Sequence, residues 1–203
     1  MISDPHGASA EAVRTLRTHV AAQHIEAGRR GLAVCAASAG VGATFTALNL
    51  AVALAQIGTK VIVIDADLRR PQFQDFVRGG ENLLGLKQYL EGSGSDFSSY
   101  VQEDVIENLS VMFSGGAANE AQELLASERF NALVERSLRD YDFTIIDTPP
   151  ANTCADARRI STVVGYSIIV AKRHQTFVND IKALAKQLRE DHAQVIGAVM
   201  NEA

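Results

Sequence analysis

The stretch Val61–Pro71 reads VIVIDADLRRP, and it decides the fold. Four β-branched apolar residues in a row suit a strand buried on both faces better than one with a wet side. Asp65 ends that run and Asp67 follows two residues later. Two carboxylates so spaced at a strand end can face one cation, and Arg69 and Arg70 beside them supply counter-charge. Asp at a strand end also caps turns, so a structural reading stays open at this point.

Outward from Val61 the same signature recurs. Short apolar runs fall at Leu32–Ala37, Val61–Asp65, Leu109–Phe113, Phe143–Asp147, Ser167–Ala171 and Val195–Met200. Amphipathic stretches at about 42–57, 72–91, 119–139, 154–164 and 176–191 separate them, and residues 8–27 form a further helical stretch ahead of them. Strands alternating with helices predict a doubly wound, mainly parallel α/β sheet with helices on both faces. The expected organisation is a helical arm over residues 1–30 and one α/β domain over 31–203, with EGSGSDFSS (91–99) as a loop.

Composition narrows the function classes. The chain has 203 residues, 47% hydrophobic and 21% charged, which fits a folded domain rather than a disordered one. A net charge of −5 argues against nucleic acid as the main partner, because phosphate binding needs concentrated Lys and Arg. The richest apolar stretch, Ala47–Ile57, is interrupted by Asn49 and Gln56 and is short of the roughly 18 residues of a membrane span. The first residues lack the apolar core of a secretory signal. Cys35 and Cys154 make neither a disulfide framework nor a four-ligand metal site, so a reducing compartment is expected. Cys35 reads as a small core residue. The five histidines, His6, His19, His24, His174 and His192, have no ligand spacing and are expected at the surface.

In open α/β sheets, ligands bind beyond the carboxyl ends of the strands, so those ends carry the candidate site. After the first strand comes AASAGVGATFT (36–46), in which Gly40, Val41, Gly42, Ala43, Thr44 and Phe45 lead into a helix. Small residues and a Thr at a helix start suit a phosphate cradle of backbone N–H groups. Against the pattern G-x-x-x-x-G-K-[ST], Gly42 and Thr44 match, Ala37 replaces the first Gly, and Ala43 replaces the Lys. A glycine-rich strand-to-helix turn explains the loop equally well when taken alone. The run DYDFTIIDTPP (140–150) ends on Asp147, a Walker B-like carboxylate placed to stand near Mg²⁺, followed by a stiff Thr148-Pro149-Pro150 exit. Lys172 and Arg173 follow the Ser167–Ala171 run.

Taken together, the chain resembles the bacterial tyrosine kinases of capsule and exopolysaccharide synthesis, within the MinD/ParA-like P-loop ATPases. VIVIDADLRRP is similar to that family's Walker A′ motif and FTIIDTPP to its Walker B. EAVRTLR (11–17) resembles its E-x-x-R-x-x-R ring-interface motif, and NEAQELLASERF (119–130) and GAVMNEA (197–203) resemble further family segments. ADLRRP and the E-x-x-R-x-x-R helix disfavour a positioning ATPase of the ParA/MinD type.

The resemblance implies ATP or ADP with Mg²⁺ as cofactors. Thr44, Asp67 and Asp147 would hold the metal, Asp65 would be the base, and the backbone of Gly40–Thr44 would cradle the phosphates. Lys172 and Arg173 would lie near the nucleotide base. Glu11, Arg14 and Arg17 would form a homo-oligomer interface, although solvated charges on one helix face explain them too. It further implies an inner-membrane polysaccharide co-polymerase as partner, with the protein cytoplasmic and at the membrane only through that partner. Two departures qualify the activity. Ala43 stands in place of the loop lysine, and no tyrosine follows Tyr166, whereas the family carries a C-terminal tyrosine cluster, here either cut off or never present. Losing one preorganised cationic donor typically costs roughly 3–4 kcal/mol of transition-state stabilisation. Weak kinase activity, or a pseudokinase assembly module, is the expectation.

Overall fold

A computed structural model describes residues 7–78, 84–92, 94 and 96–202. Seven strands form one sheet: β1 (Gly31–Ala36), β2 (Val61–Asp65), β3 (Gln102–Ile106), β4 (Leu109–Met112), β5 (Phe143–Asp147), β6 (Tyr166–Lys172) and β7 (Gln194–Asn201). Their order is β3-β4-β2-β5-β1-β6-β7, and every pairing is parallel except β3 with β4. The doubly wound, mainly parallel architecture expected from the sequence is present.

The β-branched runs work as the period-2 rule requires. Ile62 and Ile64 point into one buried cluster, whereas Val61 and Val63 point into the other. On one face lie α4 (Leu86–Glu91), α5 (Ala121–Ala126), α6 (Glu128–Asp140), α7 (Asp156–Val164) and α8 (Val178–Glu190). The other face is covered by α1 (Ala8–Val20), α2 (Ala43–Ala55) and α3 (Phe73–Phe76). Helix α2, ATFTALNLAVALA, is apolar almost all round because α1 packs over it while it packs on the sheet. Helix α1 thus packs on α2, and Val20 joins the buried cluster on that face of the sheet.

Several expectations need correction. The stretch 72–91 is not one helix: α3 ends where Val77 turns extended, and α4 starts only after Gly85, with residues 79–83 outside the described part. Gly85 passes so close to the Phe113 carbonyl that a Cβ there would sit 2.2 Å from it. Leu86 then donates to that carbonyl, anchoring α4 to the end of β4. The stretch 119–139 is broken at Ser127, whose hydroxyl accepts the Phe130 N–H and caps α6. Within 91–99, the part from Phe97 belongs to a 3₁₀ turn that buries Phe97 and Tyr100.

Strand β3 was not expected. Its sequence QEDVI is mostly polar and half exposed, as suits a sheet edge, so no apolar run announces it. His24 also departs from expectation: it is 2% exposed, where a surface histidine was read. A π-helical turn over Ala21–Ile25 swings it inward, its Nε2 donates to the Gly31 carbonyl at 3.0 Å, and its ring meets Phe143 and Tyr166 edge-on. Burial lowers its pKa, so a neutral ring is favoured there. His19, His174 and His192 are exposed, and His6 lies outside the described residues.

One ion pair ties the β2–α3 turn to α7. Arg69 Nε donates to Asp156 Oδ2 at 2.7 Å and Nη2 to Oδ1 at 3.4 Å, with the Asp156 side chain 1% exposed. Arg69→Ala would leave that carboxylate buried with only the α7 N-terminus opposing its charge. The expected cost is about 2 kcal/mol, discounted because Arg69 is partly solvated. Urea unfolding at neutral pH checks it, and a midpoint equal to the wild type would show that the pair contributes nothing.

Candidate functional site

At the carboxyl edge of the sheet, β1 ends at Ala36 and the chain turns through residues 37–42 into α2. Gly40 and Gly42 both take left-handed backbone angles, φ +74° and +87°, which side chains with a Cβ rarely adopt. Such turns orient successive N–H groups toward one concavity, and the first-turn N–H groups of α2 lie just beyond. The loop is held from behind. Asn201 Nδ2 donates to the Val41 carbonyl at 3.0 Å, Gln175 Nε2 to that of Ala39 at 3.4 Å, and Thr46 Oγ1 to that of Gly42 at 2.8 Å. A Cβ on Gly42 would clash with the Asn201 amide, and the positive φ strains any side chain there whatever the space.

This loop forms one wall of a cavity of about 510 Å³. Gly40, Val41, Gly42, Ala43, Thr44 and Phe45 all line it, and Asp67, Arg69, Arg70 and the Thr148–Pro150 exit stand opposite. The volume is within the usual range for a small-molecule or cofactor site. Thr44 Oγ1 bridges the two walls by a 3.3 Å hydrogen bond to Gln72 Oε1.

The carboxylates lie where the sheet register puts them. Asp65 and Asp147 are direct partners across the parallel β2–β5 pair, each 1% exposed. Asp65 is committed to shaping the turn: Oδ1 accepts the Asp67 N–H at 3.2 Å and Oδ2 the Phe73 N–H at 3.3 Å. Asp67 Oδ1 in turn accepts the N–H groups of Arg69 and Arg70, at 3.1 and 2.9 Å. Burial pushes the Asp65 carboxyl up to about 7 against the pull of those backbone donors. Burial, and then the Asp65 charge, hold Asp147 well above the usual carboxylate range.

Asp147 Oδ1 is buried with no hydrogen-bond partner, and the Thr44 hydroxyl acts on the same carboxylate. An orphaned carboxylate oxygen beside a Thr at a phosphate-type loop is the donor set a hard, oxygen-seeking cation such as Mg²⁺ prefers. Among the described residues no three His, Cys, Asp or Glu side chains form a ready-made metal cage. Mg²⁺ rarely uses one, taking water and phosphate oxygens instead. The residues therefore fit the metal and nucleotide that the sequence implies.

Other expected residues fall elsewhere. Lys172 and Arg173 do not line the cavity: the Lys172 N–H is held by Thr176 Oγ1, and Arg173 pairs with Glu202 at 3.2 Å. Glu11 and Arg14 pair at 3.0 Å on the outer side of α1, with Arg17 half-buried one turn on. Gln72, Gln175 and Asn201 were not singled out from the sequence. Isolated amides carry no motif signal, and only the strand-end rule pointed to their neighbourhood.

A twisted parallel sheet with this glycine turn, and carboxylates on adjoining strand ends, defines a P-loop nucleotide-binding fold. The AAA-domain family matches residues 30–195. The tyrosine-protein kinase YwqD of Bacillus subtilis is 32% identical over 98% of this chain and 84% of its own length. The putative tyrosine-protein kinase CapB of Staphylococcus aureus is 29% identical over 98% and 86%. Against the tyrosine-protein kinase Wzc of Salmonella typhi, also 29% identical, the chain spans 28% of the relative's length. Among solved structures, the kinase domain of the Escherichia coli tyrosine kinase ETK superposes with a TM-score of 0.90, at 31% identity, over 98% of this chain and 78% of that one. MinD of Pyrococcus horikoshii, solved with Mg-ADP, shares the fold at a TM-score of 0.73 and 21% identity, over 85% of this chain and 70% of that one. The chain belongs to the bacterial tyrosine-protein kinase family of AAA domains.

The Asp65 carboxyl sets a pH dependence for the metal-free chain. Its folded pKa of about 7 exceeds the unfolded value near 4, so the native state holds a proton that the unfolded chain has already released. Stability from this group is full below about pH 4 and declines as pH rises toward 7. Asp65→Asn mimics the protonated acid. Its melting temperature relative to wild type, measured without divalent cations, should therefore rise between pH 5 and pH 8. A difference independent of pH would contradict the burial argument.

Proposed function

We propose that this chain is a nucleotide- and Mg²⁺-binding kinase domain of the bacterial tyrosine-kinase type, with ATP-dependent tyrosine phosphorylation weakened by Ala43. The observation that carries this reading is the orphaned, buried Asp147 oxygen, on a carboxylate that the cavity-lining Thr44 hydroxyl acts on. Mg²⁺, when bound, would supply neutralisation of the phosphate charge.

The chain's own residues do the rest. Backbone N–H groups around Gly40–Thr44 would cradle the phosphates, and Thr44, Asp67 and Asp147 would hold the metal. Asp65 suits a base in having a pKa near 7. Both its oxygens are taken by backbone N–H groups, so in this state it mainly holds the turn that presents Asp67. Asp67 is the carboxylate on the cavity wall.

The partner we assign is an inner-membrane polysaccharide co-polymerase, in capsule or exopolysaccharide synthesis. Support comes from the motifs shared with tyrosine kinases of that pathway and from Glu11, Arg14 and Arg17 on the outer side of α1, where they can meet a neighbouring subunit in a homo-oligomer. No helix among the described residues is long and apolar enough to cross a membrane. A second reading, a pseudokinase that assembles on the co-polymerase in response to nucleotide, is favoured by Ala43 alone.

The test is incubation with Mg·ATP followed by mass spectrometry for phosphotyrosine, on the wild type and Ala43→Lys. The wild type should accumulate phosphotyrosine slowly, and Ala43→Lys faster, with Mg·ATP affinity at least about tenfold tighter, or 1.4 kcal/mol. Equal rates and affinities would show that the loop no longer works on phosphate, and rapid turnover in the wild type would overturn the weakened-kinase reading.

A further inference from the structure

The phosphate loop has lost its cation at Ala43, yet the cavity in front of it has not lost all positive charge. Two guanidinium groups, Arg69 and Arg70, line the opposite wall. We propose that Arg70 takes over the task of the absent lysine and grips the β- and γ-phosphates of the bound nucleotide. This rests on the nucleotide-binding reading above.

The two arginines are not equivalent. Arg69 is spent on the buried Asp156 carboxylate, through Nε at 2.7 Å and Nη2 at 3.4 Å. Arg70 is exposed, and among the described residues its guanidinium has no ion pair or hydrogen bond. Its backbone is fixed all the same. The Arg70 N–H is held by Asp67 Oδ1 at 2.9 Å, and Pro71 confines the residue before it to extended geometry. Two residues on, Gln72 Oε1 accepts from Thr44 Oγ1, which binds the arginine-bearing turn to the phosphate loop itself. Arg70 thus combines a fixed root with an uncommitted head, a short way from Thr44 across the same cavity.

Charge demands such a group. Asp67 stands on the wall, and a nucleoside triphosphate would bring several further negative charges into the same cavity. The groups closing the loop from behind, Gln175 and Asn201, are neutral amides, and the nearby Arg173 is paired with Glu202. Arg69 and Arg70 are the cationic side chains on the cavity wall, and Arg70 is the uncommitted one. A guanidinium is also well suited to the work, because its planar fork donates to two phosphate oxygens at once.

The test is calorimetric titration with Mg·ATP of four proteins: wild type, Arg70→Ala, Ala43→Lys and the double variant. If Arg70 stands in for the lysine, Arg70→Ala weakens binding by at least about tenfold in the wild-type background. The same substitution costs less than about threefold once Ala43→Lys has restored the loop cation, because the two groups serve the same phosphates. The melting temperature of Arg70→Ala without nucleotide should match wild type within roughly 2 °C, which separates phosphate binding from a structural role. No loss of affinity in Arg70→Ala, or an equal loss in both backgrounds, overturns the proposal. Binding by Ala43→Lys with none by wild type also overturns it, and leaves the nucleotide reading standing. Binding by neither protein removes the nucleotide reading and the proposal together.

Discussion

The register of β2 against β5 is the constraint on which the site depends. Parallel pairing of Val61 with Phe143 carries through to Asp65 with Asp147, so two carboxylates end side by side in an apolar setting. Burial favours the protonated form of both, and the Asp65 charge adds to it at Asp147. A slip of one residue would send every side chain of a strand to the opposite face, so the two-faced core that fixes this register also fixes the carboxylates. The sheet thus holds two carboxyl groups side by side where burial disfavours charge on either.

The loop across the cavity obeys a complementary constraint. It must turn backbone donors toward an anion, and the left-handed angles at Gly40 and Gly42 let it do so. Asn201 and Gln175 hold it from behind, so the last strand and the β6–α8 turn support the loop without entering the cavity. The A′ turn closes the other side. There Asp65 and Asp67 accept backbone N–H groups from their own turn, which makes them scaffold as well as charge. Ala43 leaves this loop without a cationic side chain of its own.

Much of this was legible in the sequence, for identifiable reasons. Unbroken β-branched runs announce strands buried on both faces, and VIVID and FTIID could hardly be anything else in an alternating chain. The strand-end rule pointed to the edge of the sheet where the cavity lies. Less visible were elements whose signal is weak or depends on distant residues. Strand β3 is polar because it is an edge. Ser127 interrupts a helical pattern through a local hydroxyl bond that apolar periodicity does not register. His24 is buried because a π-helical turn redirects it, and Lys172 and Arg173, at a strand end like the others, find their partners away from the cavity. The pairing of Arg69 with Asp156 spans 87 residues and has no local trace.

The measurement that bears most directly on the account is the Mg²⁺ dependence of ADP affinity, determined by calorimetry on the wild type and on Asp147→Asn. If the orphaned Asp147 oxygen and Thr44 form the metal side of a nucleotide site, Mg²⁺ tightens ADP binding by at least about tenfold in the wild type. In Asp147→Asn that gain should largely disappear, while metal-free ADP binds as well as before or better, since a buried negative charge has been removed. An ADP affinity indifferent to Mg²⁺ in the wild type, or a gain that survives in Asp147→Asn, would contradict the account.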